Sequence, residues 1–480
     1  MKNVVLILAD DLGFGDLSCY RRDAGPTPHC DRLAREGLRL TDAHSASAVC
    51  TPTRYSVLTG RYPWRSYLQN WVLAETMPLL IEAGTPTLPE TLQQGGMRTG
   101  VVGKWHLGWG RDNGAFQRGE YAIGPTAVGF DDVFAVPFSH NSTESMQVFV
   151  ATESMGAAAG SVGTPAIVGE QPRSLEDTAT DLSAAATGFI EESAVSGQPF
   201  FLYYPTTNVH FPITPHSRFV TGDERASLAT IEGDSLAARR ERDRIRFAGF
   251  VREFDWAVGQ VLDALDRAGV ADETLVVVTS DNGGAVQYGS SNDPWRGSKT
   301  QIYEGGHRVP WIVRGPGLAA GETSDLVACT TDLTPTLLAA VGQPCPFEVD
   351  GVSLWDAWTG AADETELAEL AGRPIVLHSV AGMFALRQGR LKLVEGLGPG
   401  TARWGVSLRE RPEVEFFADG RVKPFSFRPA AFPQPAAGEP AGQLYDLVAD
   451  PKEATNLWGT RPDQRRAMLA MLEAIREGRE

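Results

Sequence analysis

The sequence predicts an α/β fold, with a large, mixed but mostly parallel sheet covered by helices on both faces. Short apolar runs alternate with longer amphipathic runs, which is the pattern of parallel strands joined by helical crossovers. Acidic and amide residues follow several of the apolar runs directly, as they do where a ligand binds beyond the carboxyl ends of strands. After about residue 370 the pattern changes, which predicts a smaller C-terminal α+β unit.

The elements of the large unit follow from local patterns. Continuous apolar runs predict buried strands at residues 4–8, 99–103, 200–204 and 275–279. The run 309–313 predicts a strand nearer an edge of the sheet, because Pro310 cannot donate a ladder hydrogen bond. The clearest helix is predicted over 245–268, where apolar residues recur mostly at three- and four-residue steps.

The C-terminal unit is predicted from shorter signals, and the two domains are expected to span residues 1–370 and 371–480. A hairpin is predicted around Gly389. The further predicted elements are a Pro-rich loop at 421–440, a short strand at 444–447 and a terminal helix at 462–479. The Ala- and Gly-rich residues 151–170 predict a surface loop in the large unit.

Composition limits the classes of partner. The net charge of −17, from 43 basic and 60 acidic residues, argues against nucleic acid and an anionic membrane surface. An acidic protein that binds an anion must concentrate positive charge locally. The first apolar run is short and is followed at once by Asp10, so it indicates a strand and not a signal peptide. We therefore expect a cytoplasmic protein, with prior removal of an export signal as the alternative.

The cysteines do not form a disulfide framework pattern. Their number, five in a chain of 480 residues, is odd. Cys19 with Cys30, or Cys329 with Cys345, would be able to pair in an oxidising compartment, but nothing in the sequence requires it.

The run from Cys50 to Arg54 is the most informative part of the chain. It follows a small, polar segment and continues into a short predicted helix that Gly60 closes. Cys50 is therefore expected at a helix N-terminus, where free backbone N–H groups and the helix dipole favour an anion. Arg54 lies one helical turn further along the same face. A nucleophile and a cation beside such a turn suit attack on a sulfate or phosphate ester, whereas a buried, inert cysteine is the alternative.

Two of the predicted strands end in oxygen ligands. Asp10 and Asp11 follow the first strand, and Asp281 and Asn282 follow the strand at 275–279. One Asp pair alone would more often be a turn or a helix cap. Two such strand ends in one sheet favour a site for a hard cation, Ca²⁺ or Mg²⁺.

Cationic and titratable residues follow the other strands. Lys104 and His106 alternate after the strand at 99–103 and are expected to point the same way in an extended segment. His210 and Lys299 lie in loops predicted to reach the same edge of the sheet. His307 is ambiguous. The remaining histidines are expected to be structural: His29, His44, His140, His216 and His378.

With these motifs in order, the chain resembles the type I sulfatases, which are arylsulfatase-like members of the alkaline phosphatase superfamily, over nearly its whole length. The motifs are Val5-Leu6-Ile7-Leu8-Ala9-Asp10-Asp11, Cys50-Thr51-Pro52-Thr53-Arg54 with Leu58-Thr59-Gly60-Arg61, Gly103-Lys104-Trp105-His106-Leu107-Gly108, Asn208-Val209-His210, Ser280-Asp281-Asn282-Gly283, Lys299 before Glu304-Gly305-Gly306, and Leu444-Tyr445-Asp446-Leu447 before Asp450-Pro451-Lys452-Glu453 and Asn456-Leu457. The resemblance implies an alkaline phosphatase-like sheet and hydrolysis of sulfate monoesters to an alcohol or phenol.

The resemblance also implies that Cys50 is oxidised after translation to formylglycine by a formylglycine-generating enzyme. One hydroxyl of the hydrated aldehyde, on the metal and activated by Asp281, would attack sulfur and expel the alcohol. The second hydroxyl would lose its proton to His106, and sulfate would be eliminated. Ca²⁺, with Mg²⁺ as the alternative, would be held by residue 50 together with Asp10, Asp11, Asp281 and Asn282.

The same resemblance assigns the cationic residues. Arg54 would fix the formylglycine, and Lys104 would bridge it to the sulfate. Lys299 and His210 would contact sulfate oxygens and help to protonate the leaving oxygen. Thr53 stands where the commoner motif has Ser, but it keeps the hydroxyl, so we expect conversion of Cys50 to survive.

Two other functions are compatible with these residues. A phosphonate monoester or phosphodiester hydrolase of the same superfamily uses the same Cys-x-Pro-x-Arg run. A catalytically silent anion-binding protein would keep Cys50 as a thiol. The expected partner is a small sulfated substrate, and an aryl, sugar or steroid sulfate all stay open because specificity is expected in the loops 64–85, 110–175 and 400–440.

Overall fold

The structure is a computed structural model that describes residues 1–73, 77–109, 124–138, 146–151, 170–401, 415, 417, 421–426 and 432–478. For 146–151 and 170–173 the description covers the backbone alone. Residues 152–169 of the loop predicted at 151–170, and residues 427–431 of the predicted Pro-rich loop, lie outside the described residues.

Strands and helices alternate along most of the described chain. The strands are β1 Asn3–Ala9, β2 Leu38–Leu40, β3 Ala43–His44, β4 Arg98–Lys104, β5 Asp132–Val136, β6 Met146–Ala151, β7 Glu170–Arg173, β8 Phe200–Pro205, β9 Thr274–Ser280, β10 Trp311–Arg314, β11 Glu322–Ser324, β12 Ala328–Cys329, β13 Pro374–His378, β14 Phe384–Gln388, β15 Leu391–Val394 and β16 Gln443–Asp446. The α-helices are α1 Pro28–Glu36, α2 Cys50–Thr59, α3 Leu88–Gln94, α4 Leu175–Ser196, α5 Gly222–Ala229, α6 Leu236–Arg267, α7 Glu304–His307, α8 Leu333–Ala340, α9 Trp355–Thr359, α10 Glu364–Gly372 and α11 Pro462–Glu477.

The main sheet confirms the predicted fold class. It has ten strands in the order β11-β2-β10-β9-β1-β8-β4-β5-β6-β7. The central strands β9, β1, β8, β4 and β5 are all parallel, whereas β10, β6 and β7 introduce antiparallel pairs. Parallel neighbours bring their carboxyl ends to one edge, so the loops after β1, β4, β8 and β9 meet there.

The strand predicted nearer an edge is β10, which is third from the β11 edge and nearer an edge than β9, β1, β8 or β4, so this prediction is confirmed. β10 begins at Trp311 and pairs with β9 on one side and β2 on the other. Pro310 comes just before the strand. Because it stands outside the ladder, its missing N–H removes no hydrogen bond from the sheet.

Helices cover both faces of the main sheet. In β1, Val4, Leu6 and Leu8 face the side packed by α2, α3 and α8, whereas Val5 and Ile7 face α1, α4 and α6. All of these side chains are buried. Such two-sided burial explains why the strands are continuously apolar instead of alternating.

The long helix α6 begins nine residues before its predicted start at 245. The Ser235 hydroxyl caps it by accepting from the Ala238 N–H at 3.2 Å. Its first buried residue is Phe247. The residues before it are exposed or half-buried and carry no apolar periodicity. Within the part of the chain that the structure describes, no helix has the length and apolar character needed to cross a membrane.

The C-terminal residues form an antiparallel sheet in the order β13-β14-β15-β16. The predicted hairpin is confirmed: β14 and β15 pair, and Gly389 at the turn has a φ of 52°. The predicted terminal helix is α11, which packs against this sheet through Met468 and Leu472. The proposed division at residue 370 stays a prediction.

The described residues include all five cysteines, and each is a free thiol. Neither of the pairings considered from the sequence is present among them.

Candidate active site

The acidic residues converge because β1 and β9 are neighbours. Ala9 pairs with Ser280, so Asp10 and Asp11 emerge beside Asp281 and Asn282. The Asp11 N–H donates to Asp281 Oδ1 at 3.2 Å, and Asn282 Nδ2 donates to Asp11 Oδ1 at 2.9 Å. All four residues are buried, so their charges are compensated within the protein.

Each of the three carboxylates has a cationic partner. Lys104 Nζ lies 2.7 Å from Asp10 Oδ2, and Lys299 Nζ lies 2.6 Å from Asp11 Oδ1. Arg54 donates to Asp281 Oδ2 through Nε at 3.0 Å and through a terminal nitrogen at 2.7 Å. Three acidic and three basic side chains therefore balance in a buried site.

The pKa values of the Asp11 and Asp281 carboxyl groups shift in opposite directions. Burial alone would raise the pKa of Asp11, but Lys299 and His210 outweigh it, so this pKa is lowered. The pKa of Asp281 is raised, first by burial and then by Asp10. A pair of neighbouring carboxyl groups thus has one member that stays ionised and one that holds a proton more readily.

Cys50 begins α2, as the sequence predicts, and its side chain is buried. The preceding residue, Val49, provides no side-chain cap, so the first N–H groups of the helix are left for another partner. Burial raises the pKa of the Cys50 thiol. An unmodified thiol here is therefore a poor nucleophile near neutral pH.

Arg54 extends from the same helix to Asp281 at the end of β9. In addition to Asp281, it donates to the Lys104 carbonyl at 2.7 Å. It thereby joins α2 to the ends of β4 and β9. A contact between Arg54 and the side chain of residue 50 stays a prediction.

Lys104 is the last residue of β4, and His106 follows in a loop that is not extended. The φ of His106 is 56°, in the left-handed region, so strand alternation does not set the direction of its side chain. His106 Nε2 lies 3.1 Å from the Leu73 carbonyl oxygen. Burial, Lys104 and Arg54 hold the pKa of His106 well below its ordinary value.

His210 lies in the loop after β8, on the same edge. Its Nε2 is 3.8 Å from Asp11 Oδ2, and its Nδ1 is 2.6 Å from the Phe211 carbonyl oxygen. Burial and then Lys299 hold the pKa of His210 well below its ordinary value. His210 is therefore neutral, with the Nδ1 proton directed to the carbonyl.

The residues present fit a hard divalent cation. Asp10, Cys50 and Asp281 offer ligand atoms that lie within 4.8 Å of one another. Asp10 Oδ1 and Asn282 Oδ1 are buried, and neither has a hydrogen-bond partner in the described part of the chain. Buried oxygens without partners are rare in the absence of a ligand, and an oxygen-rich set is that of Ca²⁺ or Mg²⁺.

Supporting residues that sequence reasoning missed surround this set. Asp16 accepts from the Gly13 N–H at 2.7 Å and the Ser291 N–H at 2.7 Å. Asn292 accepts from the Gly284 N–H at 2.8 Å and donates to its carbonyl at 2.9 Å. These contacts join the loop after Asp11 to the loop after Asn282. For Asp16 the available signal was a third aspartate shortly after the first strand.

The sequence did not predict a second buried polar cluster, which contains His44, expected to be structural, and His307, which the sequence leaves ambiguous. The two Nδ1 atoms lie 3.1 Å apart. Lys392 of β15 lies 3.0 Å from Glu304 and 2.9 Å from Glu453. The cluster also holds Asp42, Arg308 and Arg387. Its three acidic and three basic groups balance one another.

Of the other histidines expected to be structural, His29, His216 and His378 lie outside both clusters. His216 accepts from the Arg218 N–H at 3.2 Å. Burial lowers the pKa of His378 to about 4. His29 lies at the start of α1, and His140 is outside the described residues.

Comparison with known proteins gives one family. Residues 2–343 match the family model described as Sulfatase. The chain is 33% identical to arylsulfatase A of Homo sapiens over 473 residues, which cover 95% of this chain and 83% of that protein. It is 28% identical to N-acetylgalactosamine-6-O-sulfatase of Bacteroides thetaiotaomicron over 536 residues, covering 99% of this chain and 93% of that protein.

Solved structures show the same architecture. A structure from work on glycosaminoglycan metabolism by Bacteroides thetaiotaomicron matches with a TM-score of 0.74 and 26% identity, covering 99% of both chains. The phosphonate monoester hydrolase of Agrobacterium radiobacter matches with a TM-score of 0.61 and 20% identity, covering 100% of this chain and 96% of that chain. The second likeness is one of fold alone.

Proposed function

This chain belongs to the sulfatase family and hydrolyses sulfate esters, and we propose that it does so through a formylglycine made from Cys50 beside a bound divalent cation. One observation carries the proposal. Cys50 begins a helix, inside a Cys-x-Pro-x-Arg run, and its sulfur lies within 4.8 Å of carboxylate oxygens of Asp10 and Asp281. A buried thiol with a raised pKa would be a poor nucleophile there, whereas a hydrated aldehyde would be an oxygen ligand and nucleophile.

The charge of the site favours an anionic ester once a cation is present. The three carboxylates and the three basic groups Arg54, Lys104 and Lys299 cancel one another. A divalent cation would leave the site with an excess of positive charge, although the chain as a whole carries −17. That local excess would attract a sulfate ester and orient it toward the N-terminus of α2. When bound, the cation supplies Lewis-acid polarisation of the reacting oxygen.

The protein's own residues would then move the protons. Asp281 accepts the proton of the attacking hydroxyl, because its pKa is raised whereas that of Asp11 is lowered. The leaving alcohol oxygen receives its proton from His210, beside Lys299. His106 accepts the proton of the second hydroxyl when sulfate departs.

Lys299 and His210 differ in what they can supply. Although burial alone would lower it, Asp11 and the other acidic groups raise the pKa of Lys299, so its ammonium is charged and stabilises sulfate oxygens. His210 is neutral before substrate binds, because burial and Lys299 lower its pKa. An anion arriving between them offsets the Lys299 charge and lets His210 gain the proton that it donates.

The substrate is proposed to be a small sulfated alcohol or phenol. The relatives include proteins named for aryl sulfates and for N-acetylgalactosamine 6-sulfate, and both substrate types are candidates here. A panel of aryl, sugar and steroid sulfates would separate them. Excess turnover of an aryl phosphonate over the matched aryl sulfate would contradict the preference for sulfate.

The modification is tested by mass spectrometry of the peptide containing Cys50, in protein from the native host. Conversion to the aldehyde is expected, and an intact thiol in active enzyme would overturn the proposal.

Cys50→Ala is expected to reduce sulfate ester turnover by at least about 10³-fold. Cys345→Ala, at a half-buried free thiol, is the matched control and should leave turnover unchanged.

Incubation with a chelator should remove activity, and added Ca²⁺ or Mg²⁺ should restore it.

A further inference from the structure

We propose that Thr51 is a positioning residue for His106, and that Thr51 and the Leu73 carbonyl fix the imidazole in the tautomer whose bare Nδ1 accepts a proton. The inference rests on the proposed function, because it identifies the atom that acts as base when sulfate is released. It adds a role for a side chain directly after Cys50 that hydrolysis itself does not require.

Three hydrogen bonds join residues 51, 73 and 106 in a closed set. The Thr51 hydroxyl donates to the His106 carbonyl at 3.0 Å and accepts from the Leu73 N–H at 3.3 Å. His106 Nε2 lies 3.1 Å from the Leu73 carbonyl oxygen. Thr51 and His106 are both buried, so water does not substitute easily for any of these partners.

The set determines which ring nitrogen carries the proton. A carbonyl oxygen only accepts, so Nε2 must be the N–H donor. Burial, together with Lys104 and Arg54, lowers the pKa of His106 so far that the ring is neutral and has a single N–H. Nδ1 therefore holds a lone pair. It is buried and has no hydrogen-bond partner in the described part of the chain, as expected of an acceptor that waits for a substrate-derived proton.

The backbone of His106 needs this restraint. Its φ of 56° is uncommon for a residue other than glycine and is unfavourable for the isolated backbone. The His106 N–H donates to the Pro137 carbonyl at 3.1 Å, and the Phe138 ring meets the imidazole edge-on at 4.5 Å. The Thr51 hydroxyl holds the remaining backbone group, the carbonyl. Loss of this hydroxyl would leave the His106 carbonyl and the Leu73 N–H without a partner among the described residues.

Thr51 therefore connects residue 50, the proposed nucleophile, to His106, the proposed base. Thr51 stands in the first turn of α2, adjacent to residue 50. In the release step Nδ1 takes the proton of the second hydroxyl, the carbon–oxygen bond to sulfate breaks, and its electron pair leaves with sulfate as the aldehyde carbonyl forms. Because Thr51 contacts the His106 backbone, the base keeps its place relative to residue 50.

The test compares Thr51→Val, which has a similar shape without the hydroxyl, with Thr51→Ser, which retains it. Thr59→Val is the control, because its hydroxyl is also buried in α2 but donates within the helix to the Tyr55 carbonyl at 2.8 Å. Long-range ¹H–¹⁵N spectra of the full chain report the tautomer, with the His106 signals identified through His106→Gln. Conversion of Cys50 is measured in every variant, so that turnover refers to modified enzyme.

We expect wild-type His106 to show a protonated Nε2 and a pyridine-type Nδ1. Thr51→Val should give mixed tautomers and lower kcat by roughly 10- to 100-fold with little change in KM, since general bases contribute about 10²–10⁴-fold. Thr51→Ser should restore both readouts, and Thr59→Val should change neither.

A protonated Nδ1 in the wild type would overturn the tautomer assignment, and a Thr51→Val variant with wild-type spectrum and kcat would overturn the positioning role. Should Thr51→Val not fold, Thr51→Ala carries the same comparison. The two proposals fail separately. An intact Cys50 thiol without sulfate ester turnover would refute the proposed function. If the wild-type tautomer were still observed in that case, the tautomer assignment would stand.

Discussion

At the scale of single residues, burial changes what each titratable group does. The three active-site carboxylates stay in the interior because each has a basic partner. Glu253 of α6 differs. Its Oε2 accepts from Asn208 Nδ2 at 3.2 Å, but burial is the dominant influence and raises its pKa to about 8. Since the Asn208 carbonyl accepts from the Asp10 N–H at 2.8 Å, Glu253 supports the loop that carries His210.

This shift predicts a pH-dependent stability. The pKa of Glu253 rises from 4.5 to about 8 on folding, so its contribution is full below pH 4.5 and is lost as the pH rises through 8. Glu253→Gln keeps an acceptor for Asn208 and cannot ionise. The variant and the wild type should have similar stability near pH 4.5. At pH 8.5 the variant should be more stable by on the order of 5 kcal/mol, as measured by urea unfolding at the two pH values. An equal difference at both would contradict the shifted pKa.

At the scale of elements, the close approach of β4 and β8 sets where Lys104 emerges. Gly103 has a φ of 130°, and a Cβ there would lie 1.8 Å from the Pro205 carbonyl oxygen. Only glycine allows both the backbone conformation and this contact. The apolar sequence predicted the strand, but not that its penultimate residue must lack a side chain.

Gly103→Ala is therefore expected to destabilise the protein by roughly 3 kcal/mol or more and to weaken turnover by displacing Lys104. Gly188→Ala is the matched control. Gly188 lies inside α4, and a Cβ there meets nothing within 4 Å, so this change should stabilise by about 0.5–1 kcal/mol. Thermal unfolding of both variants checks the contrast, and a neutral Gly103→Ala would show that β4 and β8 are able to separate.

At the scale of the whole molecule, the second polar cluster joins the C-terminal sheet to the segment before Cys50. Lys392 of β15 contacts Glu304 of α7 and Glu453. Arg387 of β14 pairs with Asp42, which also contacts His44. Although burial alone would raise it, Lys392 and its neighbours hold the pKa of Glu304 well below its ordinary value. The two sheets are thus connected by ionised, buried groups.

Lys392→Met should destabilise the protein by about 3–5 kcal/mol, because it leaves Glu304 and Glu453 buried without their shared cation. Lys2→Met, which removes an exposed ion pair with Glu273, should leave the midpoint of unfolding nearly unchanged. Chemical unfolding of both variants measures the difference. Equal midpoints would mean that the cluster does not stabilise the contact between the sheets.

Much of the fold followed from the sequence because its signals are local. The continuous apolar runs around β1, β8 and β9, and the turn at Gly389, each reflect the burial or geometry of a few neighbouring residues. The first turns of α6 were missed because they hold no buried residue. β10 lies nearer an edge, as predicted, but Pro310 is not the reason, because it precedes the strand. Pairing partners distant in sequence decide the strand order.

The same division holds for the site. By itself, the sequence determined the chemical identity of its groups: acidic and amide strand ends, a Cys-x-Pro-x-Arg helix start, and Lys and His in the loops between them. Only the tertiary structure decided their partners, with Arg54 on Asp281, Lys299 on Asp11 and Lys104 on Asp10. It also decided the hydrogen bonds of Thr51 and the second cluster around Lys392. Motifs report local chemistry, whereas the energy of a buried charge depends on groups that the fold brings from hundreds of residues away.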